Sequence, residues 1–165
     1  MQRIYQIICI LVMIQNINAQ SPTYVYTPRG SVVSDTYIRN EEITAADIVY
    51  INGQLDIQYP NAQKMQESTT TYNCHAYAWY VSEGGQPVWM GLSSNPTSIY
   101  WTDGSYIEVT NPEDANKVSY ANDNHSAITT SETDFFISKW GAWPLMKHQK
   151  NDCPYNSSIL KHYKI

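Results

Sequence analysis

The sequence predicts an α+β domain in which one short helix packs on a mainly antiparallel sheet, and two observations predict it. The first is the stretch Thr70-Thr71-Tyr72-Asn73-Cys74-His75-Ala76-Tyr77-Ala78-Trp79-Tyr80-Val81, where Thr and Asn can cap a helix that Glu83-Gly84-Gly85 then stops. The second is a series of short β-prone runs after it, two of which, in 125–140, are spaced to return on each other as a hairpin.

Taken in order, the chain opens with Arg3 ahead of the apolar run Ile7-Ile8-Cys9-Ile10-Leu11-Val12-Met13-Ile14, and Asn18-Ala19 precedes Gln20. That order predicts a secretory signal peptide over 1–19, the run being too short for a comfortable membrane span. Residues 20–165 are read as one domain, a β-rich lead-in over 20–68 and a core over 69–165. The exported protein is expected to be secreted or periplasmic, monomeric and free of the membrane. Ten Lys and Arg stand against fifteen Asp and Glu, a formal net charge of −5, and no basic patch stands out. Nucleic acid and anionic membrane surfaces are therefore poor partners. Fourteen Tyr and five Trp against two Phe suit half-buried strands, wet groove walls and sugar-stacking surfaces.

In the lead-in, Tyr24-Val25-Tyr26 predicts a strand, and Val32-Val33 with Thr36-Tyr37-Ile38 a second. The runs 48–51 and 55–59, joined by Asn52-Gly53, predict a tight hairpin. A helix follows over 71–82. Its Cys74, Tyr77, Ala78 and Val81 share one stripe, which puts the thiol at the junction of helix and sheet. Strands are predicted at 88–90, 99–101, 106–109 and 117–120. His125 then opens a strand out of a polar loop, and 135–140 returns beside it. A last strand at 159–163 is expected near the one that carries Ser138.

A cysteine on the opening turn of a helix, a histidine heading a later strand and a polar residue on the return strand are, in this chain, Cys74, His125 and Ser138. This order, over roughly residues 70–141, resembles the papain-like fold in its small bacterial form, the NlpC/P60 and CHAP cell-wall peptidases and amidases. Tyr72-Asn73-Cys74-His75 and Ser138-Lys139-Trp140-Gly141 also look like motifs of secreted bacterial proteins. The resemblance implies a secreted cysteine hydrolase that cleaves an amide or peptide bond, in a peptide or peptidoglycan-like substrate, with no cofactor. It makes Cys74 the nucleophile and His125 the base. Ser138 falls where those families usually carry His, Asn, Gln or an acid.

Such a site needs a thiolate, an imidazole that takes and returns a proton, a group that orients the imidazole, and donors for an oxyanion. At a helix start, Cys74 is expected to titrate below the free-thiol value of about 8.5. Its own N–H is one oxyanion donor, and the side chain of Asn73 or the hydroxyl of Tyr72 is another. Ser138 is expected to accept the second imidazole N–H, with Asp123 in the preceding loop as the alternative orienter. His75 points about 100° round the helix from Cys74 and is read as structural or groove-lining. Two other readings stay open. Cys74, His75, His125, His148 and Cys153 are zinc-ligand types, but no Cys-x-x-Cys or His-x-x-x-His pair is present and no metal is assigned. The other is a non-catalytic β-rich module, stapled by a Cys74–Cys153 disulfide, whose Trp89, Trp101, Trp140 and Trp143 face a glycan or peptide.

Overall fold

A computed structural model describes residues 20–165, so the expected signal peptide lies outside the described residues. The lead-in holds β1 (Gln20–Pro22), β2 (Val25–Tyr26), β3 (Val32–Val33) and β4 (Thr36–Arg39), then α1 (Ala45–Gln58) and β5 (Gln63–Gln66). Next come α2 (Cys74–Trp79), β6 (Trp89–Met90), α3 (Ile99–Thr102), β7 (Ile107–Val109) and β8 (Lys117–Tyr120). β9 (Ser126–Thr129), β10 (Phe135–Lys139), β11 (Leu145–Gln149) and β12 (Leu160–Lys164) complete the chain. The fold is mixed α+β, and its main sheet has seven antiparallel strands in the order β5-β11-β10-β9-β8-β12-β7. Among the described residues no helix is long and apolar enough to cross a membrane.

The expected hairpin of β9 and β10 is present, with Ile128 opposite Ile137 and Thr129 opposite Phe136. The last strand lies elsewhere than expected. β12 pairs with β8 and β7, where it buries Tyr163 in the ring cluster around Trp79. The other neighbour of the Ser138 strand is β11, with Met146 opposite Ser138 and His148 opposite Phe136.

Two predicted β segments are helical. In place of the hairpin over 48–59 stands α1, whose first turn is capped by Thr44, the side chain accepting the Asp47 N–H at 3.1 Å. Ile51 and Leu55, four apart, pack together on the core below, and this spacing prevails over the Asn52-Gly53 turn signal. Glycine inside a helix costs only about 1 kcal/mol relative to alanine, which tertiary burial offsets. At 99–101 the chain forms α3 because Asn95 caps a 3-10 turn with Pro96 in its first position. That turn delivers Tyr100 into the core against Trp79.

A core lies on each face of the sheet. On one face α2 sets the small, fully buried Ala76 and Ala78 close to the strands, and Trp79 contacts the rings of Tyr100, Trp101, Tyr106 and Tyr163. On the other, Leu55 of α1 closes over Val118, Tyr120, Ala127, Phe136, Trp140 and Met146. Strand alternation divides the polar residues between the faces: Lys117, Ser126 and Lys139 go to the α2 side and Ser138 and His148 to the α1 side.

Candidate functional site

Cys74 is the first residue of α2, and Asn73 is its cap, as the sequence suggests. The Asn73 Oδ1 accepts the Ala76 N–H at 3.1 Å while Nδ2 donates to the Met90 carbonyl at 2.6 Å, which ties the helix start to β6. The Tyr72 hydroxyl donates to Gln66 Oε1 on β5 at 2.7 Å. Both side chains expected to supply an oxyanion donor are therefore engaged in holding the helix in place. Cys74 is 6% exposed, and the N–H groups of Ser126, His75 and Cys74 itself act on its sulfur.

Burial pushes the Cys74 thiol up to about 11, despite those N–H groups and the nearby charge of Lys139. The expectation of a lowered thiol pKa is overturned for a physical reason: removing a thiolate from water outweighs what a six-residue helix and a few dipoles return.

His125 is fully buried immediately before β9. Its ring lies flat on Tyr155, with centroids 3.5 Å apart and planes 9° apart, and edge-on to Tyr120 at 4.9 Å. Among the described residues neither ring nitrogen has a hydrogen-bond partner. Burial first, then the neighbouring His75 and His148, hold its pKa well below the usual histidine value. Its chain neighbour Ser126 presents its N–H to the Cys74 sulfur, so Cys74 and His125 come to the same end of β9 without a hydrogen bond between them.

Ser138 does not orient His125. The Nδ1 of His148 bonds the Gln149 carbonyl at 2.8 Å, which requires the proton on that nitrogen and leaves Nε2 as an acceptor. The Ser138 hydroxyl, 2.8 Å from Nε2, therefore donates to His148, and it accepts the Trp140 Nε1–H at 3.1 Å. Asp123 is also engaged elsewhere: it accepts from the Ser119 hydroxyl at 2.5 Å, and its charge acts on His75. His75 is structural, as expected, with Nδ1 2.9 Å from the Ser126 hydroxyl that also accepts the Trp79 Nε1–H. Burial pulls its pKa down to about 4.

Two residues that sequence reasoning passed over border the site. Tyr155, in the connection between β11 and β12, covers His125, and its phenol is made harder to ionise by burial and then by Cys74. Lys139, at the end of β10, is fully buried on the α2 side. It had a legible signal, since alternation sets Lys139 and Ile137 on the face opposite Ser138 and Trp140. Tyr155 had none, lying in an irregular segment.

The disulfide of the binding-module reading is absent: Cys74 and Cys153 are both free and buried, and the Cys153 thiol faces the carbonyls of Lys150 and Tyr155. Of its four tryptophans, Trp140 is buried and Trp143 is the one that is well exposed. Among the described residues no group of three or more His, Cys, Asp or Glu side chains is placed to hold a metal ion. Compared with protein-family models, curated proteins and solved structures, the chain matches none.

Proposed function

We propose that the domain is an exported, papain-like cysteine hydrolase that cleaves an amide or peptide bond in a peptidoglycan-like substrate. The observation that carries the reading is the meeting at the head of β9. A free thiol lies against the Ser126 N–H, and the adjoining His125 keeps both ring nitrogens empty in a fully buried site. A buried polar group without a partner costs on the order of 1–3 kcal/mol, which a purely structural histidine would avoid.

In this mechanism Cys74 gives its proton to His125 as the sulfur attacks the carbonyl carbon, and the imidazolium returns that proton to the leaving amine. Water then releases the acyl group by the reverse exchange. The N–H groups beside the sulfur are the oxyanion donors. Before substrate enters, stacking on Tyr155 holds the plane of the imidazole, and no side chain on a ring nitrogen takes the task first given to Ser138. With thiol and imidazole both neutral at rest, proton transfer accompanies attack, and entry of substrate displaces Tyr155 and lifts part of the burial that keeps them neutral.

Purified peptidoglycan, incubated with the protein and read for new amines by chromatography and mass spectrometry, tests the reading. Release is expected from the native protein, none from Cys74→Ala, and at least about a hundredfold less from His125→Ala. Undiminished release by Cys74→Ala contradicts it. One observation favours a second reading, a glycan-binding surface: Tyr50 (68% exposed) and Trp143 (41%) flank a hollow of about 220 Å³ beside α1. Titration with a soluble glycan strand while following tryptophan fluorescence, with Trp143→Ala as control, measures that binding.

A further inference from the structure

Lys139 is 0% exposed, and no carboxylate pairs with it among the described residues. Its Nζ donates to the carbonyls of Thr69 at 2.9 Å and Gly141 at 2.7 Å and to the carbonyl of Trp143, and it lies 5.2 Å from the centre of the Tyr72 ring. Three N–H bonds spent on three carbonyls, with the side-chain carbon in the fourth position, leave the nitrogen no lone pair. With all three bonds made the group is an ammonium held by its acceptors, and burial pulls its pKa down to about 7, so the charge stands below that pH and is shed above it. While those bonds hold, it donates and does not take the thiol proton. What it offers below about pH 7 is a positive charge fixed in place.

That charge lies beside Cys74. Thr69 and Tyr72, both in contact with the ammonium, lead directly into the cysteine. The register that pairs Ile137 with Ile128 carries Lys139 toward Ser126, whose N–H meets the sulfur. The other titratable groups around the pair are His75 on α2, His125 ahead of β9, Tyr72 in the loop before α2 and Tyr155 in the connection after β11. Burial disfavours the charged form of each of them. Cys74 is then the group beside Lys139 on which a negative charge forms during the reaction.

We infer that Lys139 is a positioning residue for Cys74: its ammonium is the standing counter-charge of the thiolate, and its three carbonyl bonds fix the loop that sets the sulfur against Ser126. This rests on Cys74 being the nucleophile. The thiol proton still passes to His125, and a charged Lys139 keeps its own protons through that step.

Lys139→Met removes the charge and keeps the apolar stem, while Lys139→Arg keeps the charge. Iodoacetamide labelling of Cys74 and Cys153, read separately by peptide mass mapping across about pH 6 to 9.5, follows the thiolate rather than hydrolysis. Lys139→Met is expected to slow Cys74 about tenfold at about pH 6, where Lys139 is charged, the difference fading toward about pH 9.5, with Cys153 unchanged and Lys139→Arg restoring most of the rate. Labelling of Cys74 at the native rate overturns the inference. So does acceleration of both thiols together, the signature of a staple whose loss merely loosens the fold. If Lys139→Met does not fold, the coupling is read from the other side. In Cys74→Asp, which sets a carboxylate in the place of the sulfur, the carbon-13 titration midpoint of the Lys139 side chain is expected to rise by about one unit, and an unchanged midpoint overturns the inference. Neither measurement uses turnover, so their failure is distinct from a failure of the hydrolase reading, which the peptidoglycan assay tests.

Discussion

The two faces of the sheet both exclude water, but they do so with different chemistry. On the α1 face the buried polar groups end in neutral hydrogen bonds, Ser138 lying between His148 and Trp140 within an otherwise apolar core. On the α2 face a neutral set of Ser126, Trp79 and His75 is joined by two buried lysines: Lys117 is bound by Glu83 and Ser82, and Lys139 by three carbonyls close to Cys74. A neutral pair costs a core little. Burying an ammonium costs several kcal/mol per ion before its hydrogen bonds offset any of it, so stability alone does not account for the α2 face. Under the proposed function, that difference is what the α2 face lends to the chemistry.

Acid should break both faces, and it gives the largest effect. His75, His125 and His148 have pKa values lowered by burial, so below the ordinary histidine value near 6.5 the unfolded chain takes up protons that the folded one refuses. Stability should be flat in these groups above about pH 6.5 and fall toward pH 4, by about 4 kcal/mol per unit once all three titrate in the unfolded chain. Urea unfolding against pH measures it, and His75→Gln or His148→Gln should each remove about a third of the slope. A slope that neither variant changes would contradict the burial assigned to these rings.

Next in size is the contrast between the faces. Lys139→Ala should lower stability by about 3–5 kcal/mol by leaving three buried carbonyls without a donor, whereas Ser138→Ala should cost about 1–3 kcal/mol. Equal losses in urea unfolding would erase the distinction. Gly53→Ala is the smallest and has the opposite sign. An added Cβ meets nothing within 4 Å, so alanine should stabilise α1 by about 1 kcal/mol, whereas in an Asn-Gly hairpin turn it would destabilise.

What could be read from the sequence was local. The Asn73 cap, the helix at Cys74 and the hairpin of β9 and β10 follow from residues close together in the chain. At 48–59, local signals conflicted: β-prone Ile48-Val49-Tyr50-Ile51 and Asn52-Gly53 pointed to strands, while the Thr44 cap and the spacing of Ile51 and Leu55 pointed to a helix. The tertiary contact of Leu55 decided. Cys74 and His125 were legible as candidates and lie at the same end of β9, but the network around them was not, because the partners of Ser138 and His125 come from elsewhere. His148 arrives on β11 and Tyr155 in an irregular connection, and no pattern around Ser138 announces either.

The placement of Tyr155 bears on how the site opens. Tyr155→Ala should speed alkylation of Cys74 on the order of tenfold and leave Tyr155→Phe at the native rate, since it is the ring that covers the site. No change in Tyr155→Ala would mean that the site opens by another route.

The central claim, that Cys74 is a nucleophile served by His125, is tested most directly by labelling the native, unreduced protein with a peptide vinyl sulfone and locating the adduct by mass spectrometry. The account predicts one label per chain, on Cys74 rather than Cys153, and a rate that falls at least about a hundredfold in His125→Ala. A Cys74 that stays unlabelled in the folded protein, or one labelled no faster than Cys153 and indifferent to His125→Ala, would contradict it.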